Sequence, residues 1–153
     1  MAEIYREMTI ADYDEVQLLW RQTEGICVRE ADSRGQIERY LLRNPGLCSV
    51  VLVNDQVIGT ILAGHDGRRG YLHHLAVMHK HRRLGMGKRL VDRAISALRV
   101  QAIQKCHIFV LQENQDARIY WRNRGWTSRP DIEMMSFNLS ENPNELICPE
   151  FSE

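Results

Sequence analysis

From residue 86 to 102 an apolar side chain stands at every fourth place, Met86, Leu90, Ala94, Leu98 and Ala102. Val91 and Ile95 lie alongside, with Lys88, Arg89, Asp92, Arg93 and Arg99 on the other side. That spacing predicts an amphipathic helix with one buried stripe. Just before it, residues 71–77 (YLHHLAV) read as a strand and 78–84 as a polar, basic connection. Upstream, residues 3–8 predict a first strand. Thr9 with Asp12 forms an acidic variant of the capping box and opens a helix carrying Tyr13, Val16, Leu19 and Trp20 on one side. Residues 23–35 are polar, contain two glycines and predict a loop or broken helix. A helix over 36–44 stops at Asn44-Pro45-Gly46. The β-rich runs 47–53 and 57–65 form a hairpin through Asn54-Asp55-Gln56, and 65–70 turns the chain into the next strand. Two more strands are expected, 106–111 and, behind Arg129-Pro130-Asp131, 132–139. The order predicts an α/β chain with one mixed sheet and helices on both faces. It forms a single domain, 1–139, followed by a C-terminal extension, 140–153, with two prolines and little apolar content.

Composition narrows the function classes. Lys+Arg and Asp+Glu both number 20, so no global field attracts nucleic acid or an acidic membrane. No apolar run approaches the ~18 residues of a membrane span, and MAEIYREMTI lacks the apolar core of a signal peptide. Cys27, Cys48, Cys106 and Cys148 are scattered without a CxxC pair, which predicts reduced thiols and a cytoplasmic protein.

The chemistry concentrates at the start of the long helix. Gly85 and Gly87 sit in its first turn, where glycine is disfavoured by ~1 kcal/mol each. Glycines there let a ligand approach the unpaired N–H groups of a helix N-terminus, which carries about half a positive charge. Arg82, Arg83 and Lys88 add full charges. The expected guest is a phosphate. A Walker loop is absent, and the glycine spacing is not that of GxGxxG.

Arg82-Arg83-Leu84-Gly85-Met86-Gly87 fits RxxGxG and resembles the pyrophosphate-binding signature of the GNAT superfamily of N-acetyltransferases. In that family the preceding strand ends in a run like Leu75-Ala76-Val77. Asn114-Gln115-Asp116-Ala117, then Ile119-Tyr120-Trp121 and Gly125-Trp126, is similar to the family's later segment, in which an Asn and an Ala precede a helix that ends at a Gly-aromatic pair. The resemblance implies the acyl-CoA N-acyltransferase fold, a largely antiparallel sheet of six to seven strands splayed in the middle. It implies acetyl-CoA as co-substrate, with a small-molecule amine or a protein amino group as acceptor.

Site residues follow from the same resemblance. Amides from Arg83 through Leu84, Gly85, Met86 and Gly87 to Lys88 hold the pyrophosphate, with Arg82 beside them. The backbone of Leu75, Ala76 and Val77 pairs with the pantetheine arm, and the Val77 amide stabilises the oxyanion. Asn114, with Ala117 in the same motif, holds the arm from the other side. An amine must lose a proton before attack. His73 is the expected base, and Tyr71, two residues earlier on the same face, at most orders a water. By strand alternation His74 faces the opposite side and packs. Many family members place a tyrosine acid four residues before the Gly of the Gly-aromatic pair. Here that position is Trp121, a wall against the cofactor sulfur, and the tyrosine is Tyr120, about 100° away around the helix. His79-Lys80-His81 lacks a carboxylate or thiolate partner, so no metal is expected. Residues 23–35, including Glu24, Glu30 and Asp32, are expected to line the acceptor pocket. A homodimer is compatible with the sequence, and the alternative function is a catalytically weak CoA-binding sensor or interaction module.

Overall fold

Five strands form one sheet in chain order in the computed structural model, which describes residues 2–141: β1 Glu3–Glu7, β2 Ser49–Val53, β3 Gln56–His65, β4 Gly70–Val77 and β5 Cys106–Ile108. The first four are antiparallel neighbours, and β5 runs parallel to β4. Helices are α1 Tyr13–Arg21, α2 Arg34–Arg43, α3 Met86–Val100 and α4 Gln115–Asn123, with short 3-10 turns at Ile10–Asp12, Glu30–Asp32 and His79–His81. The mixed α/β architecture is the one expected. The strand count is corrected to five among the described residues: 132–139 forms no strand, and Ile132, Met134, Met135, Phe137 and Leu139 are exposed. A β-prone run needs a partner edge to become a ladder, and none of the described strands supplies one to this run. The expected extension from residue 142 onward, including Cys148, lies outside the described residues. The expectation of reduced thiols is corrected at Cys27, which is disulfide-bonded, while Cys48 and Cys106 are free. No helix among the described residues is long and apolar enough to cross a membrane.

The chain divides into two units, residues 1–108 and 109–153. In the first, the two faces of the sheet are covered differently. Val16, Leu19 and Trp20 of α1 and Ile37 of α2 bury against Cys48, Val50, Leu62 and Ala76. Each such side chain contributes about 1.5–3 kcal/mol. On the other face α3 buries Leu90 and Leu98, whose side chains lie over Gly59 and Gly70. The predicted stripe is the one that packs: Met86, Leu90, Val91, Ala94 and Leu98 are its buried members.

Gly64 marks a tight contact on the α2 side. A Cβ there would stand 2.5 Å from the Tyr40 hydroxyl and 2.8 Å from Asn44 Nδ2. The Tyr40 hydroxyl is buried without a hydrogen-bond partner among the described residues. Gly64→Ala is therefore expected to cost about 1–3 kcal/mol. Tyr40→Phe removes an unsatisfied group and is expected to be neutral or stabilising. In urea titrations the double variant should recover the part of the Gly64→Ala loss that is due to the hydroxyl, with the Asn44 contact remaining, and simple additivity would show that the clash lies with Asn44 alone.

Candidate active site

Strand β4 is irregular at its centre. Leu62 faces His73 and Thr60 faces Ala76, so His74 and Leu75 together oppose the single residue Ile61. This is a β-bulge, with His74 in the left-handed region at φ 52. The bulge corrects the expected alternation. The His74 ring lies edge-on to Trp20 of α1 at 4.9 Å, and the His73 ring edge-on to Tyr40 of α2 at 6.5 Å. Trp20 and Tyr40 belong to one cluster. Both histidines therefore look to the α1–α2 side. Tyr71 stacks parallel to His73 at 6.3 Å and meets His107 at 5.7 Å. His74 Nε2 is 2.9 Å from Asp32 Oδ1, a part-buried pair with Asp32 the more enclosed partner.

Among the described residues, no strand pairs with the outer edge of the second half of β4. β5 pairs only with Gly70, Tyr71 and Leu72. The Met78 amide donates to the Ile58 carbonyl at 2.7 Å, so by antiparallel alternation the Val77 N–H and C=O point away from β3. Arg82 Nε donates to that Val77 carbonyl at 3.0 Å, and its Nη2 to Glu24 at 3.1 Å. The Val77 N–H has no acceptor among the described residues.

Beyond β4 the chain passes through His79–His81 into the helix entry. Arg83 (φ 65) and Gly85 (φ 86) are both left-handed, an alternation that converges successive N–H groups into an anion-binding concavity. The first amide of this stretch to donate is that of Arg89, to the Gly85 carbonyl at 3.1 Å. None of the six amides from Arg83 to Lys88 donates to an acceptor among the described residues. Leu84 is exposed and Met86 is buried, which anchors the turn while its amides stay open. Lys88 is paired with Asp92 at 2.9 Å and Arg82 with Glu24. Arg83 makes no ion pair among the described residues. A separate concavity of about 570 Å³ lies along α3 between Arg89 and Ala97 and shares no residue with this turn or with β4.

In the second unit Asn114 caps α4, its Oδ1 accepting from the Ala117 amide at 3.1 Å. The far end closes around Gly125 at φ 90: the Trp126 amide donates to the Trp121 carbonyl and the Gly125 amide to that of Arg122. This is a Schellman closure, and the hydrophobic contact that accompanies it is Trp121 against Trp126, ring centres 5.1 Å apart. The Gly-aromatic pair is thus a helix stop. The Tyr120 hydroxyl is buried without a hydrogen-bond partner among the described residues, and the Arg124 guanidinium lies over its ring at 4.9 Å.

The sequence profile of the Acetyltransferase (GNAT) family matches residues 13–126. The chain belongs to that family. An acetyltransferase of Photorhabdus laumondii is 33% identical over 109 residues, 71% of this chain and 75% of that protein. Among solved structures, Ard1 from Thermoplasma volcanium superposes with a TM-score of 0.69 at 22% identity, covering 83% of this chain and 84% of that one. The PaiA N-acetyltransferase of Thermoplasma acidophilum, solved in complex with coenzyme A, gives 0.70 at 16% identity, covering 81% and 89%. These two likenesses show the fold.

Within this GNAT protein the electrostatics separate His73 from the thiols. Burial, then the neighbouring His74, holds His73 below the ordinary histidine value, against a smaller pull upward from Asp32. Burial pushes the Cys48 thiol up to about 12 and the Cys106 thiol up to about 11, so neither is a ready thiolate nucleophile. No group of three or more His, Cys, Asp or Glu among the described residues is arranged to hold a metal. Sequence reasoning missed the His74–Asp32 pair, because no glycine signals the bulge. It read Asp32 and Glu24 as loop charges, solvated or able to attract a cationic amine, without their partners: Asp32 is bound to His74 and Glu24 to Arg82.

Proposed function

We propose that this GNAT protein transfers an acetyl group from acetyl-CoA to a primary amine, on a small molecule or a protein, by direct attack in a ternary complex. The observation that carries the reading is the run of six amides, 83–88, without acceptors among the described residues, at a left-handed helix entry beside the edge of β4 that no described strand pairs. A diphosphate fits that donor set. Acetyl-CoA supplies the activated acyl carbon as a thioester. The amides of Arg83 to Lys88, with the Arg83 side chain, hold the phosphates. The edge of Leu75, Ala76 and Val77 holds the pantetheine arm. The Val77 N–H is the oxyanion donor, worth ~3 kcal/mol in comparable chemistry. His73, kept neutral by burial, takes the proton from the amine, and Tyr71 stacks on the ring and orients it. The raised Cys48 and Cys106 thiols are not ready acyl-enzyme nucleophiles, which favours direct attack. The departing thiol has a pKa near 8.5, so its thiolate leaves without a strong acid. Tyr120 carries the one hydroxyl on α4, and Trp121 is engaged with Trp126.

A second reading, a CoA-binding module without turnover, is favoured by Trp121 standing where a tyrosine acid is usual. One experiment separates the two. Acetyl-CoA at about a hundredfold over its dissociation constant should add about 2.7 kcal/mol, or roughly 5–10 °C in Tm. Thiol release against a panel of amines then reports chemistry. A thermal shift with no release across the panel favours the module, and the absence of any shift removes both readings.

A further inference from the structure

Residues 23–35 join α1 to α2 and are fastened to β4 by two clasps. At one end the Glu24 carboxylate accepts from Arg82, whose guanidinium also donates to the Val77 carbonyl. At the other, Asp32 uses both oxygens. Oδ1 binds His74 Nε2, and Oδ2 accepts from the Arg29 amide at 3.1 Å; the Asp32 carbonyl accepts from the Tyr13 hydroxyl at 2.7 Å. The clasps are unequal. Glu24 is largely exposed and its pair is screened by solvent, whereas Asp32 is only 8% exposed, so losing one partner strands the other away from water.

His74 is also the residue that makes the bulge. A histidine at φ 52 inside a strand is strained, and such a conformation persists only where its surroundings hold it. Here the ring is gripped by Asp32 and flanked by Trp20. The bulge sets the register of Thr60 against Ala76, and that register turns the Val77 N–H to the open edge.

We infer that Asp32 and His74 are positioning residues: their part-buried clasp straps the 23–35 segment across β4 and fixes the bulge that aims Val77, while neither side chain moves a proton. The catalytic consequence rests on the acetyl-transfer reading; the strap itself does not.

Three variants and two readouts test it. His74→Gly suits the left-handed backbone but removes the clasp, and is expected to lower kcat about tenfold with the KM for acetyl-CoA nearly unchanged. His74→Gln keeps a donor near the Nε2 position but cannot relay a proton, and should stay within about threefold of wild type. Asp32→Ala should resemble His74→Gly, and the double variant should fall no further than either alone. Hydrogen exchange of residues 23–33 should quicken about tenfold in His74→Gly and Asp32→Ala, with α3 unaffected. His74→Gln falling as low as His74→Gly would make His74 a proton-transfer group and overturn the inference. So would unchanged exchange in His74→Gly. If Asp32→Ala fails to fold, the two His74 variants carry the test. If the wild-type protein shows no turnover, exchange alone decides the strap, and the acetyl-transfer reading fails separately.

Discussion

Replacing Gly85 by valine is expected to weaken acetyl-CoA binding at least about a hundredfold, with two open-amide hydrogen bonds to phosphate lost at ~1.5–3 kcal/mol each. The reason lies in the backbone. Gly85 is left-handed at φ 86, a region that costs an L-residue about 1–2 kcal/mol and suits a β-branched one least. Relief requires rotating the peptide groups on either side, which redirects the Gly85 and Met86 amides. The protein itself has room, since the nearest heavy atoms to a Cβ at this position are in the Arg89 guanidinium, 3.9 and 4.0 Å away. The loss therefore falls on the ligand more than on the fold. Calorimetric titration measures it directly, and a Tm lowered by only a few degrees should accompany it. Gly85→Asn tolerates the left-handed region and is expected to lie between. Unchanged affinity in Gly85→Val would mean that the diphosphate is not held by these amides, and the assignment of the turn would be lost.

The contrast between the two halves of this site explains what was legible in the chain beforehand. The turn at 82–88 announced itself because glycine is disfavoured in a first helical turn, so its presence needs a reason that packing does not supply. The stripe from Met86 to Leu98 was legible for a similar reason: period alone assigns a face. The hairpin of β2 and β3 was marked by Asn54-Asp55, both of which take positive φ. The bulge carried no such mark. His74 occupies a conformation that glycine usually fills, and only the tertiary partners Asp32 and Trp20 hold it there. Asp32 in turn looked like a solvated loop charge, since nothing in local sequence says that a residue 42 positions away will bind it. Residues 132–139 failed in the opposite direction. Their apolar content is real, but a strand is a property of two edges, and a pattern on one of them does not provide the other.

His73→Ala is expected to lower kcat by ~10²–10⁴ while leaving the KM for acetyl-CoA unmoved, the range of a lost general base. Its pH behaviour has a definite sign. Burial first, then His74, depresses the His73 value below that of a free histidine, with Asp32 opposing. The imidazole is therefore neutral at pH 7, and the acid limb of kcat should lie below about 6.5, the unperturbed histidine value. Linkage runs the same way. As pH falls below about 6.5 the unfolded chain takes up the proton before the folded one does, so stability falls. The contribution of His73 is full above the unfolded value and is lost as pH drops through the folded one. His73→Gln should remove that part of the pH dependence from both activity and stability. An amine acceptor titrates near 10 and imposes its own limb on kcat/KM, so two acceptors of different pKa are needed. A limb that moves with the acceptor belongs to the amine, and one that stays and vanishes in His73→Gln belongs to the enzyme. A limb that stays in His73→Gln would pass the role of base to another group on the α1–α2 side of β4.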